Sequence, residues 1–179
     1  DVSLVGSEMC IRDSSKIDEI IKVAKKGKIF ILVDDKNREN EGDLVISAKK
    51  TTAKKINFMA KHGRGLICLA LDKKQTNKLG LSLMPSRNSS RLRTAFTVSI
   101  EARRGVTTGI SALDRAKTIL VAINQKSNSK SLSTPGHIFP LVARDGGVLT
   151  RAGHTEASVD ISNLAGMGKS AVILSLIHI

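Results

Sequence analysis

Six consecutive residues, Arg38-Glu39-Asn40-Glu41-Gly42-Asp43, place three carboxylates and one guanidinium in a single short segment. Apolar runs flank it, Ile29 to Val33 before and Leu44 to Ile46 after, so it reads as a polar loop between two strands. Carboxylates this close repel one another, and the pKa of one rises unless a cation is shared. A divalent metal, a bound substrate or Arg38 itself supplies that charge in a working site; a solvated hairpin turn is the alternative that the same composition allows. A second polar segment, Arg151-Ala152-Gly153-His154-Thr155-Glu156, lies far along the chain. Ala157, Ile161 and Leu164 follow at helical spacing and Gly166 ends the pattern, so Gly-His-Thr is expected to open a helix. Backbone N–H groups at a helix start bind anions, so a phosphate fits there with Arg151 beside it. His154 is then a metal ligand or a proton carrier, against the alternative of a cap or a surface residue.

The elements that must position these segments alternate between helix and strand. Ser15 begins a helix with Ile17, Ile20, Ile21 and Ala24 on one face, ended by Gly27. Lys28 to Asp34 reads as a buried strand and Asp43 to Ala48 as its successor across the acidic loop. Thr51 or Thr52 caps a helix carrying Ile56, Met59 and Ala60, stopped at Gly63. Gly65 to Leu71 is an apolar strand, and Lys73 to Leu79 a short polar helix. Leu81 to Arg93 is a loop whose Arg87, Arg91 and Arg93 suit closure over a phosphate or plain solvation. Thr94 to Glu101 alternates as a strand. Ser111 caps a helix with Leu113, Ala116, Leu120 and Ile123 inward, and Asn124 to Ser133 reads as a mobile polar loop. Thr134 to His137 is a turn before a strand from Ile138 to Arg144, where Pro140 argues for an edge or a bulge. Ser170 to Leu174 starts a last strand. With no internal repeat and no Gly-x-Gly-x-x-Gly, the pattern is α/β class, one mixed sheet covered by helices.

Length and composition bound the rest. The 179 residues suit one domain with a proper core. No apolar run approaches the roughly 18 residues of a membrane span, and the start lacks a basic segment of a secretory signal. Two cysteines, Cys10 and Cys68, without metal-ligand spacing, fit a reduced, cytoplasmic protein. The net charge of +13 raises nucleic-acid binding, but the basic residues are scattered, and four Phe with no Trp or Tyr supply no base-stacking platform.

The two polar segments together resemble those of 3,4-dihydroxy-2-butanone 4-phosphate synthases of riboflavin biosynthesis. The resemblance extends through His62-Gly63-Arg64-Gly65-Leu66-Ile67-Cys68, Thr94 to Ala102, Gly105-Val106-Thr107-Thr108-Gly109-Ile110-Ser111-Ala112, Asp114-Arg115-Ala116 and Thr134 to Leu141, in family order. It implies a three-layer sandwich with a twisted mixed sheet flanked by helices, acting as a homodimer. It implies conversion of D-ribulose 5-phosphate to L-3,4-dihydroxy-2-butanone 4-phosphate and formate, with Mg²⁺ or Mn²⁺. A proton must leave a carbon beside a ketone, which needs a base, and the enediolate needs positive charge on its oxygens, which a metal gives. By the same resemblance Glu39 and His154 are the metal ligands, with Glu39 also at the substrate. Arg38 and Asp43 contact the sugar phosphate, and Arg151, Ala152, Gly153, His154 and Thr155 hold it. His137 is an essential acid–base residue, with Asp43, Glu41 and Cys68 at the reacting centre. Thr108 and its neighbour Thr107 touch substrate from a helix start. Cys68 has a supporting part, because a small buried hydrophobe is the competing reading.

The family carries a further essential Glu in its final strand, and Ser175 stands at that position. Residues 15–173 are read as the synthase domain, cut short at its C-terminal end. Residues 1–14 and 174–179 are read as translated adapter sequence joined to a gene fragment, a genuine extension being the alternative. Ser175 opens a second function from another class, a non-catalytic sugar-phosphate-binding homologue. A related-fold nucleotide-binding module of RNA modification is the third, and it leaves the acidic loop and His137 without a role.

Overall fold

The computed structural model describes residues 15–34, 41–84 and 94–176. Arg38 and Glu39, the basic residues Arg87, Arg91 and Arg93, and residues 1–14 and 177–179 lie outside the described residues. Helix α1 (Ile17–Lys25) carries Asp18 and Glu19 in its first turn and Lys22 and Lys25 in its last, which complements the helix dipole. Gly27, at φ +71°, turns the chain into β1 (Phe30–Val33). β1 pairs antiparallel with β2 (Gly42–Ser47), Val33 opposite Gly42, and Asp34 N–H donates to the Glu41 carbonyl at 2.9 Å. β1 and β2 are thus antiparallel neighbours, and Gly42 and Asp43 of the acidic segment open β2, with Glu41 just before them. The expected buried strand at residues 28–34 is instead a short edge strand, with Ile31 and Val33 exposed.

Thr52 caps α2 (Ala53–Gly63) and Asp72 caps α3 (Lys73–Lys78), with β3 (Cys68–Leu71) between them. Then come β4 (Ile100–Ala102), α4 (Ala112–Ala122), β5 (Leu132–Val142), α5 (His154–Leu164) and β6 (Ser170–Leu176). The six strands form one mixed sheet in the order β1-β2-β6-β3-β5-β4, in which only β3 and β5 run parallel. The last strand thus lies between β2 and β3, and this places Ser175 and Leu176 beside Asp43 and Gly42. Alternation along the strands divides the core. Leu44, Ile46, Leu69, Ile138, Val172 and Leu174 meet α2 and α4 on one face. Val45, Cys68, Leu141, Ala171 and Ile173 meet α1 and α5 on the other. The expected three layers are those two helical layers and the sheet.

Several expected details differ. Residues 94–101 form no continuous strand: isolated bridges from Thr97 to Leu83 and from Phe96 to Leu141 precede the three residues of β4. Residues 124–133 are ordered by a 3₁₀ turn at Ser129–Ser131 with a reciprocal cap between Asn128 and Ser131, and β5 already begins at Leu132. In α4, Ala116, Ile119 and Ala122 face inward while Leu113 and Leu120 are exposed. Asp114 and Thr118 are buried on the inward face and take hydrogen bonds there, which sets the helix's rotation against its apolar stripe. In α5, Leu164 is exposed and the buried face is Thr155, Glu156, Ser158, Val159, Ile161 and Ser162. Small side chains let this helix lie close to the sheet, and the Ser158 and Ser162 hydroxyls donate to the Thr155 and Ser170 carbonyls at 2.9 and 2.8 Å.

The irregularity expected from Pro140 falls earlier in β5. Its register against β4 jumps from Ile100 opposite Ile138 to Glu101 opposite Ser133, so residues 134–137 bulge from the strand, with a cis bond between Thr134 and Pro135. Gly136 makes this possible, because a Cβ there would stand 2.1 Å from the Ile100 carbonyl. The bulge presents His137 at the sheet's β4 edge. No helix among the described residues is long and apolar enough to cross a membrane.

Candidate active site

Register brings the first polar cluster together. Asp43 on β2 lies opposite Ser175 on β6, and Cys68 on β3 lies opposite both Ile173 and Phe139. These positions share the α1/α5 face of the sheet. The Ser175 hydroxyl donates to Glu41 Oε2 at 3.3 Å, so the end of the acidic segment touches the last strand. Asp43 is buried. Burial first, and then the negative charge of Asp43, push the Cys68 thiol up from 9.0 to about 12. Cys68 therefore holds its proton at neutral pH and is neither a thiolate nucleophile nor a thiolate ligand.

This has a consequence for stability. In the unfolded chain the thiol ionises near 9.0, whereas in the fold it stays protonated to about 12. The unfolded state sheds its proton first, so stability is unaffected below pH 9 and declines as pH rises through the window from 9 to 12. Each pH unit inside that window costs about 1.4 kcal/mol at most. Alkylation of Cys68 at pH 7.5, followed by peptide mass spectrometry, is expected to be slow in the native protein and fast in urea. Cys68→Ala is expected to flatten the alkaline limb of the stability curve.

A second cluster lies at the other side of the sheet. His137 Nδ1 is 2.6 Å from Glu101 Oε2, and the Thr118 hydroxyl donates to Glu101 Oε1 at 3.0 Å. The adjoining loop is pinned by Asp114, which accepts from Thr107 N–H at 3.2 Å, Thr107 Oγ1 at 2.7 Å and Gly109 N–H at 3.1 Å. The Thr107 hydroxyl is the main cause that holds the Asp114 carboxyl below its usual range. Thr108, expected at the substrate, is exposed in this loop. Glu101 was not singled out from the sequence; the signal was an acid placed in an otherwise apolar strand.

The third cluster is the start of α5, with His154 as its first residue and Gly153 as a cap that lends no side-chain bond. Arg151 Nη1 donates to Glu156 Oε2 at 2.7 Å, and Glu156 Oε1 accepts from Arg144 N–H at 3.0 Å. A Cβ at residue 153 would stand 2.2 Å from Arg151 Nη1, so Gly153 lets the guanidinium fold across the helix start. Thr155 is buried and Ala152 exposed. The expected metal pair is only half described: His154 Nε2 is closed off from solvent, and Glu39 lies outside the described residues. The described residues contain no group of three or more potential ligands. By donor chemistry, a carboxylate and an imidazole suit a hard divalent cation that keeps most of its waters, such as Mg²⁺ or Mn²⁺. A groove of about 1010 Å³, rimmed by Lys49, Lys74, Lys78 and Lys169, lies at the Ser170 end of β6 and contains none of these side chains.

The family described as 3,4-dihydroxy-2-butanone 4-phosphate synthase matches residues 18–178. A 3,4-dihydroxy-2-butanone 4-phosphate synthase of Photobacterium phosphoreum is 52% identical over 164 residues, 92% of this chain and 45% of that protein. A riboflavin biosynthesis protein of Synechocystis is 54% identical over 162 residues, 89% of this chain and 29% of that protein. A crystal structure of 3,4-dihydroxy-2-butanone 4-phosphate synthase in complex with two magnesium ions has a TM-score of 0.88 at 40% identity, covering 91% of this chain and 76% of that one. A two-domain synthase from A. baumannii has a TM-score of 0.87 at 45% identity, covering 91% of this chain and 48% of that one. The chain spans less than half the length of these curated relatives. The family match over residues 18–178, the sequence identity and the shared fold place the chain: it belongs to the 3,4-dihydroxy-2-butanone 4-phosphate synthase family.

Proposed function

We propose that this chain converts D-ribulose 5-phosphate to L-3,4-dihydroxy-2-butanone 4-phosphate and formate, a lyase step of riboflavin biosynthesis, in the cytoplasm and as a homodimer. The observation that carries this reading is the gathering of Glu41, Asp43, Cys68 and Ser175 at one end of the sheet, in a chain of this family. His137, set at the β4 edge apart from Asp43 and Glu41, has by the family resemblance the role of taking the proton from the carbon beside the ketone. Asp43 and the carboxylate of Glu41 orient the sugar hydroxyls, and the protonated Cys68 does not compete as a nucleophile. The phosphate lies at the start of α5, where the N–H groups of residues 153–155 and the held guanidinium of Arg151 meet it. Arg38 and Thr108 complete the substrate contacts. Glu39 and His154 would hold Mg²⁺ or Mn²⁺, which when bound supplies positive charge where oxygen charge develops.

Dialysis against EDTA is expected to abolish formate release from ribulose 5-phosphate, and added Mg²⁺ or Mn²⁺ to restore it. His154→Ala is expected to raise the concentration of cation required at least about tenfold, since loss even of an outer-shell partner costs about 10–100-fold in metal affinity. Release that is indifferent to EDTA overturns the cation's role. One observation favours a second reading: a hydroxyl, Ser175, lies opposite Asp43, at the position where the resemblance implies a carboxylate. That reading is a sugar-phosphate-binding homologue that binds without turnover.

A further inference from the structure

We propose that Glu101 is the positioning residue for His137, holding the ring through Nδ1 and leaving Nε2 as its proton-accepting nitrogen. The catalytic meaning of this pairing rests on the reaction proposed above. The pairing itself rests on the direction of a hydrogen-bond chain. Ala102 N–H donates to Thr118 Oγ1 at 3.0 Å, inside the core. That hydroxyl has one proton, and it goes to Glu101 Oε1, also at 3.0 Å. The second oxygen of Glu101 is 2.6 Å from His137 Nδ1. A carboxylate only accepts, so Nδ1 carries the proton of the neutral ring and the lone pair falls on Nε2. When the ring takes a second proton, the same carboxylate stabilises the imidazolium.

The surroundings of Glu101 are built to this arrangement. Its side chain is 13% exposed while that of His137 is 42% exposed, so the carboxylate is enclosed and the ring keeps an open edge. Two glycines are needed for it. A Cβ at Gly109 would stand 1.9 Å from Glu101 Oε2, and Gly109 is at φ +89°. Asp114 holds that glycine against the carboxylate through the bonds to Thr107 and Gly109. Gly136 lets the bulge of β5 approach Ile100 and so brings His137 to Glu101. An exposed ion pair, worth little, would need neither glycine nor the buried Thr118.

Long-range ¹H–¹⁵N spectra of the full chain labelled at histidine, recorded above the ring's titration, read the tautomer. His137→Gln identifies the His137 signals among those of His62, His154 and His178. His137 is expected as the Nδ1–H tautomer in the parent and as the Nε2–H tautomer in Glu101→Ala. In steady-state assays Glu101→Ala is expected to lower kcat about 10²-fold, with KM changed less than about threefold. Glu101→Gln keeps the volume and removes the charge, and carries the test if Glu101→Ala does not fold; its kcat is expected to fall about tenfold at unchanged KM. An Nε2–H tautomer in the parent overturns the proposal. So does a tautomer that survives Glu101→Ala, a KM effect without a kcat effect, or an unchanged kcat in Glu101→Gln. If the parent itself makes no formate, the reaction assignment fails, and the tautomer comparison alone upholds or overturns the pairing.

Discussion

Ser175→Glu is expected to raise the rate of formate release about 10²–10⁴-fold, the usual worth of a positioned general acid or base. The expectation follows from where β6 runs. Residue 175 pairs with Asp43, and its side chain already reaches Glu41 Oε2. A hydroxyl there donates a bond but takes no proton near neutral pH without an activating partner. A carboxylate there would join Glu41 and Asp43, and like charges that close raise one pKa toward the range where a carboxyl exchanges protons. The gain should fall on kcat, with KM for ribulose 5-phosphate changed less than about threefold, because the proposed phosphate site is at the start of α5 and not at residue 175. Steady-state assays of the two chains at saturating Mg²⁺ decide it. An unchanged kcat would show that the hydroxyl at this position is not what limits turnover.

Glu156→Ala is expected to destabilise the fold by about 3–5 kcal/mol, the cost of leaving one side of a buried charged pair without its partner. Glu156 is 1% exposed and receives both the Arg151 guanidinium and the Arg144 backbone N–H. Its loss removes that partner from Arg151 and strips a backbone donor, against a total stability of roughly 5–15 kcal/mol for an ordinary domain. Glu156→Gln keeps an acceptor for Arg144 and should cost about half as much. Urea denaturation measures both. The double variant with Arg151→Ala should cost less than the sum of the single ones, because both changes remove the same ion pair. A loss below about 1 kcal/mol in Glu156→Ala would mean that the pair contributes as little as an exposed one.

Much of the fold was legible because local rules and tertiary structure agree. The apolar runs on either side of the acidic segment are antiparallel strands, joined at their ends by the Asp34–Glu41 hydrogen bond. Thr52, Asp72 and Ser111 cap the helices they precede. The errors fall where polar groups are buried. Asp114 and Thr118 turn α4 away from its apolar stripe, and Ser158 and Ser162 let α5 bury a face that hydrophobicity alone does not mark. The site was legible as types and not as partners. Glu41 and Asp43 were read together with His154, yet the neighbour that Glu41 reaches across the sheet is Ser175, because β6 inserts between β2 and β3. No local pattern specifies that insertion. His137 was singled out without Glu101, since the bulge that unites them depends on a register shift between two strands. From the sequence Arg151 reads as added charge at a phosphate site; in the fold it pairs with Glu156, five residues on.

The central claim is that this chain runs the reaction of its family, and the most direct measurement follows uniformly ¹³C-labelled ribulose 5-phosphate by NMR with Mg²⁺ present. The chain and its Ser175→Glu variant are compared, and calorimetry measures binding to each. The expected result is formate and a four-carbon phosphate appearing in equal amounts, slowly from the chain as it stands and faster from the variant, with similar affinities. Binding to both with formate from neither would contradict the claim and establish a sugar-phosphate-binding homologue; binding to neither would remove ribulose 5-phosphate as the ligand.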